Sequence, residues 1–107
     1  MRRMGKSTLE FARPPSILSH AAVGGKKEAE GPLGDQFDQT FGDTTLQADS
    51  WEKAEAQLQK EAVSIALKKA GLGPEGVDFI LAGDLLNQCI SSTFGLMDFQ
   101  VPFLGQY

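Results

Sequence analysis

"VDFILAGDLLNQ", residues 77–88, decides how the rest of the chain is read. Phe79, Ile80, Leu81 and Ala82 make an uninterrupted apolar run. Gly83 and Asp84 break it, and Asn87 and Gln88 follow two leucines. A short apolar run bounded by turn residues fits a strand buried on both faces, as in a parallel sheet. We expect that strand over 77–83, with Asp84, Asn87 and Gln88 delivered at its carboxyl end. In open parallel sheets, ligands gather beyond that end.

Working upstream, the connection "GLGPEG" (71–76) separates this strand from a helix. Asp49 and Glu52 have capping-box spacing. Trp51, Ala54, Leu58, Ala62 and Ile65 recur at three- and four-residue steps, which predicts one inward face. Lys68 and Lys69 suit the helix dipole in the last turn, Gly71 suits a left-handed C-cap, and Pro74 prevents resumption. Residues 24–48, rich in Gly and Asp, read as a long loop, with Leu33, Phe37 and Phe41 as isolated anchors. "SILSHAAV" (16–23) reads as a strand, and residues 1–13 as an irregular arm. Downstream, 88–98 predicts a second helix with Ile90, Phe94 and Met97 inward. Gly95 in its interior costs about 1 kcal/mol against alanine. "VPFLGQY" (101–107) opens a third strand. The order β, long loop, α, β, α, β is that of an α/β fold with a mainly parallel sheet.

Composition limits the function classes. The chain has 107 residues, 41% hydrophobic and 22% charged, with net charge −4 and pI near 4.8. Six Arg or Lys face three Glu in residues 1–30, while four Lys face eleven Asp or Glu afterwards. With no basic stripe beyond Lys27, nucleic acid is not an expected partner. Cys89 is the one cysteine, which rules out an internal disulfide and a cysteine-based zinc site. The start lacks the apolar core of a secretory signal, and no apolar run approaches the roughly 20 residues of a membrane span.

Several motifs look like chemistry. "GLGPEG" matches the dinucleotide pattern letter for letter, but a dinucleotide site needs strand, glycines, then helix, and here a helix ends and a strand begins. "MGKS" (4–7) lacks the preceding strand and first glycine of a phosphate loop. His20 has no Cys or second His beside it and reads as structural. Cys89 sits at a helix start, where a thiol can be activated, but no histidine lies within twenty residues in the sequence. Asp84 has two readings, a cap for the following helix or the rim of a pocket. No catalytic set and no metal-ligand spacing emerges, so no cofactor and no enzymatic activity are expected of this chain.

"AVGGKKEAEGPLGDQFD" (22–38), "WEKAE" (51–55), "LAGDLLNQ" (81–88) and "PFLG" (102–105) together resemble the amino-terminal part of the stage V sporulation protein AD family. The resemblance runs in order over essentially the whole chain. It implies a partial thiolase-like layered fold, truncated after the third strand, and an amino-terminal piece that is inactive alone. Members act in endospore formation, binding dipicolinic acid and helping to move it, with calcium, into the developing spore. Dipicolinic acid, other stage V sporulation membrane proteins and a second copy in a homodimer are therefore the implied partners. The implied location is cytoplasmic or peripheral at the forespore inner membrane. Members continue into a Gly-Ala-Cys turn at the thiolase nucleophile position, which Cys89 does not match. The competing reading is a fragment of a condensing-type acyltransferase whose cysteine and histidines lie beyond Tyr107.

Asp84, Asn87 and Gln88 match family positions and are the candidate pocket-rim residues. Dipicolinate is a dianion that calls for Arg, Lys, backbone N–H groups or bound calcium, so Asp84 is expected to act as scaffold.

Overall fold

In the computed structural model, residues 1–86 and 88–106 are described. The longest element, and the one most clearly written in the sequence, is a helix over Trp51–Ala70, α2 in chain order. Its start is one residue off the expected capping box. Ser50 is the N-cap, its hydroxyl accepting from the Lys53 N–H at 3.2 Å, while Asp49 pairs with the Lys53 ammonium. A serine cap of this kind contributes about 1 kcal/mol. The end is as expected. Gly71 adopts φ 69°, ψ 28°, its N–H donating to Lys68 O at 3.1 Å and the Leu72 N–H to Leu67 O at 3.0 Å. That pair of bonds is a Schellman cap, and the positive φ explains why glycine stands there.

Before α2 come strands β1 (Arg2–Met4) and β2 (Thr8–Glu10), β3 (Val23–Gly24), helix α1 (Lys26–Glu30) and β4 (Gln39–Thr40). After it come β5 (Ile80–Ala82), helix α3 (Ile90–Leu96) and β6 (Phe103–Gly105). The class is α/β, as the sequence indicates. Of the three two-stranded sheets among the described residues, β3–β4 and β5–β6 are parallel.

The amino terminus differs from the expected irregular arm. β1 and β2 form an antiparallel hairpin in which Arg2 lies opposite Glu10 and pairs with it at 2.7 Å. Every residue of both strands is exposed, so no buried face marked the hairpin in the hydrophobic pattern. The expected long loop also carries structure: α1, a tight 3-10 turn at Gly34–Gln36, and β4. Of the strand expected over 16–23, only Val23 joins a ladder. Residues just before it are held by side chains instead. The Ser19 hydroxyl donates to Ala66 O at 2.6 Å and the Lys69 ammonium to His20 O at 3.1 Å.

The core lies between α2 and α3, which pack chiefly on each other. Ala54, Cys89 and Leu96 are its buried apolar side chains, joined by Ser91 and Ser92. This corrects the predicted inward face of the second helix, because Ile90, Phe94 and Met97 are all exposed. The helices cross most closely at Gly95, where a Cβ would stand 2.6 Å from Ala56 O, and the buried side of α3 is Ser91, Ser92, Gly95 and Leu96. Trp51 is likewise exposed rather than core.

The opening stretch is a strand, but with one face covered. Ile80 and Ala82 are half-buried while Leu81 is exposed, and Phe79 before them is exposed too. The run was read as buried on both faces. Among the described residues β6 is the one strand paired to β5, and the face carrying Phe79 and Leu81 stays exposed.

Candidate functional site

Beyond the carboxyl end of β5 the chain turns sharply into α3, and Asp84 organises the turn. One carboxylate oxygen accepts the Cys89 N–H at 3.0 Å. The other accepts the Ser92 N–H at 3.0 Å and the Ser92 hydroxyl at 2.9 Å. Gln88 and Cys89 both have left-handed backbones, φ 43° and 66°. Each such non-glycine residue costs roughly 1–2 kcal/mol, and the Asp84 bonds hold the pair in place. Charge-assisted bonds of this kind are about twice as strong as neutral ones.

Of the three candidate rim residues, Asp84 is thus turned to the helix it caps. Gln88 is exposed at the strand end, and Asn87 lies outside the described residues. The sequence reading of Cys89 as a plain buried thiol agrees with its surroundings. It is 3% exposed, and its Sγ donates to Gln106 O at 3.4 Å. Its carbonyl accepts the Thr93 hydroxyl at 2.6 Å and the Thr93 N–H at 3.0 Å. No base stands in these contacts to activate the thiol.

Beside this turn runs an open groove between α2 and β5, lined by Leu58, Ala62 and Val63 on one side and Ile80 to Leu85 on the other. Its polar groups are acidic or neutral. The Gln59 amide donates to Gly83 O at 3.2 Å, and Glu55 accepts the Leu85 N–H at 3.4 Å. The other Glu55 oxygen is buried without a partner. Among the described residues no Arg or Lys lines this groove. Among the described residues, no three His, Cys, Asp or Glu gather to hold a metal ion.

A second polar cluster was missed from sequence. Asp38, the last residue of "GPLGDQFD", accepts the Ala22 N–H at 2.7 Å and pairs with the Lys69 ammonium, while its own N–H donates to Ala22 O at 2.9 Å. One carboxylate therefore ties the β3–β4 region to the end of α2. No pattern of spacing points to this, since its members lie 16 and 31 positions from Asp38.

The Lys69 bond first, and the Ala22 N–H second, hold the Asp38 carboxyl below the usual aspartate range. A folded value below the unfolded one gives stability that is full above roughly pH 4 and lost as pH falls through the folded value. Asp38→Asn should therefore be less stable than the parent at pH 7. Urea midpoints measured from pH 7 down to pH 2 should converge as the parent protonates. A gap that stayed constant over that range would mean the clamp carries no proton linkage.

Fold and site together define an α/β protein in which Asp84 caps α3, with no catalytic group assembled among the described residues. The family model for stage V sporulation protein AD matches residues 5–107. The chain is also 40% identical over 107 residues to Stage V sporulation protein AD of Bacillus subtilis (strain 168), covering 100% of this chain and 32% of that protein. The chain belongs to the stage V sporulation protein AD family. It spans about a third of the length of the curated relative it matches. No helix among the described residues is long and apolar enough to cross a membrane.

Proposed function

We propose that this chain is a scaffold segment of a thiolase-like sporulation protein that binds dipicolinic acid and assists its calcium-linked uptake into the developing spore. The family match across the whole chain carries this reading. The local chemistry says which share of the work falls here. Asp84 is committed to α3 through three bonds, and among the described residues the neighbouring groove is lined by Glu55 and by no Arg or Lys. A dicarboxylate needs cationic or N–H donors, so its pocket belongs to other parts of the full-length protein. The segment's part is to set the β5–α3 turn, with Gln88 and Asn87 at the rim of the assembled site and other stage V sporulation proteins as partners.

Isothermal titration should separate the two roles. The 107-residue chain should give no heat with dipicolinate, with or without calcium, while the Bacillus subtilis relative binds it. Micromolar binding by the 107-residue chain would transfer the pocket to this segment. Failure of the full-length relative to bind would remove the ligand assignment.

A further inference from the structure

Charge is spread unevenly along this chain, and its cationic end is built into the exposed hairpin. Residues 1–13 hold four Arg or Lys against one Glu, while the whole chain carries −4. The register places Arg2 opposite Glu10, Arg3 opposite Leu9 and Met4 opposite Thr8. Strand alternation therefore gives the hairpin two unlike faces. On one, the Arg2–Glu10 ion pair cancels its own charge. On the other, Arg3 stands beside Leu9, and Phe11 follows two positions on. Leu9 is 60% exposed and Phe11 51%. The Arg3 guanidinium donates to Gly5 O at 3.1 Å and to Lys6 O at 2.8 Å, both neutral acceptors. Among the described residues Arg3, Lys6 and Arg13 form no ion pair. The two strands pack chiefly on each other, and every residue from 1 to 18 is exposed.

That mixture of side chains narrows the occupant. A soluble polyanion would pair with the cations and leave Leu9 and Phe11 in water. A neutral apolar surface would take those two and desolvate three charges without a partner, which is costly. An anionic lipid surface answers both, with phosphate headgroups for Arg and Lys and an acyl boundary for Leu and Phe. The scale agrees as well. A three-residue strand is about 10 Å long, and interfacial elements sit roughly 5–10 Å into the headgroup and acyl boundary. Repulsion between such a surface and the acidic remainder of the chain fades beyond about 8 Å at physiological salt.

We propose that the Arg3–Leu9 face of the β1–β2 hairpin, with Lys6 and Arg13, docks this chain on an anionic membrane surface. The cations meet lipid phosphates, and Leu9 and Phe11 enter the boundary beneath them. This rests on the hairpin and its charges, and not on the ligand reading above.

Sedimentation of the 107-residue chain with vesicles tests it. The chain should partition onto vesicles of equal parts phosphatidylglycerol and phosphatidylcholine despite its net charge of −4. It should stay in solution with pure phosphatidylcholine, and leave the anionic vesicles at about 1 M salt, where screening acts within about 3 Å. Lys6→Gln with Arg13→Gln should weaken partitioning about thirtyfold, roughly fivefold for each charge. Leu9→Gln with Phe11→Gln should weaken it about tenfold or more. Circular dichroism should show the helices of both variants intact, because all four side chains are exposed. Lys53→Gln with Lys68→Gln, which removes the same charge from exposed positions on α2, should leave partitioning unchanged. Absence of binding to the anionic vesicles would overturn the proposal. So would equal binding to pure phosphatidylcholine, or an equal loss in the α2 variant, since net charge rather than the hairpin would then decide. Self-association in free solution that the Leu9/Phe11 variant abolishes would also overturn it, because the face would then seat a second copy.

Discussion

Asp84→Ala should lower the stability of the folded chain by about 3 kcal/mol, the sum expected when a half-buried carboxylate that caps a helix is removed. The arithmetic follows from what is left behind. The Ser92 N–H and hydroxyl lie in a residue with 0% exposure, so water cannot take over the two bonds Asp84 supplied. The Cys89 N–H loses its 3.0 Å acceptor as well. An unmet buried donor costs about 1–3 kcal/mol. The Ser92 hydroxyl recovers part of this by turning to Cys89 O, already 3.3 Å away. The left-handed pair Gln88 and Cys89 then loses the Cys89 N–H bond, and the start of α3 should relax.

Asp84→Asn keeps one acceptor oxygen and should retain more stability than Asp84→Ala. Urea denaturation followed by circular dichroism reads both. If both variants unfolded at the parent's midpoint, Asp84 would not be the cap, and the pocket-rim reading of its carboxylate would regain its place.

That residue shows how the sequence carried part of the answer. A strand end followed by Asp and then a helix can mean a cap or a pocket, and the letters do not choose between them. The choice depends on where Ser92 lies, eight residues on, which is a tertiary fact. Helix α2 was legible because its signals are local: a periodic apolar stripe, lysines in the last turn, and a glycine whose left-handed geometry no other residue adopts as readily. The hairpin at Arg2–Glu10 was not legible, because a hairpin exposed on every residue leaves no alternation to detect. The face of α3 was misread for the opposite reason. Ile90, Phe94 and Met97 have the greasy spacing of a core stripe, but the close crossing with α2 falls at Gly95, so the side of Ser91, Ser92, Gly95 and Leu96 turns inward. The signal that would have found it is present at short range, as Ser91, Ser92 and Gly95 at positions i, i+1 and i+4.

The same crossing sets the second large expectation, in which two effects of opposite sign compete at Gly95. Alanine in a helix interior is favoured over glycine by about 1 kcal/mol, so on propensity alone Gly95→Ala should stabilise. Against it stands a new methyl 2.6 Å from Ala56 O and 3.0 Å from its Cα, well inside the roughly 3.5 Å at which non-bonded carbons rest. Those atoms are backbone, in the middle of a twenty-residue helix, and cannot swing aside as a side chain would. Forcing α2 and α3 apart also loosens Ala54 and Leu96, two of the buried apolar contacts. Overpacking of this kind costs about 1–3 kcal/mol, so the clash should outweigh the propensity gain. Gly95→Val, with two further methyl groups and a stiff χ1, should cost about 3 kcal/mol on the same grounds. Thermal unfolding should rank parent above Ala above Val, with the Val variant melting roughly 12 °C or more below the parent. An Ala variant that melted above the parent would mean the helices cross at a wider separation, and the exposure of Ile90, Phe94 and Met97 would then need another cause.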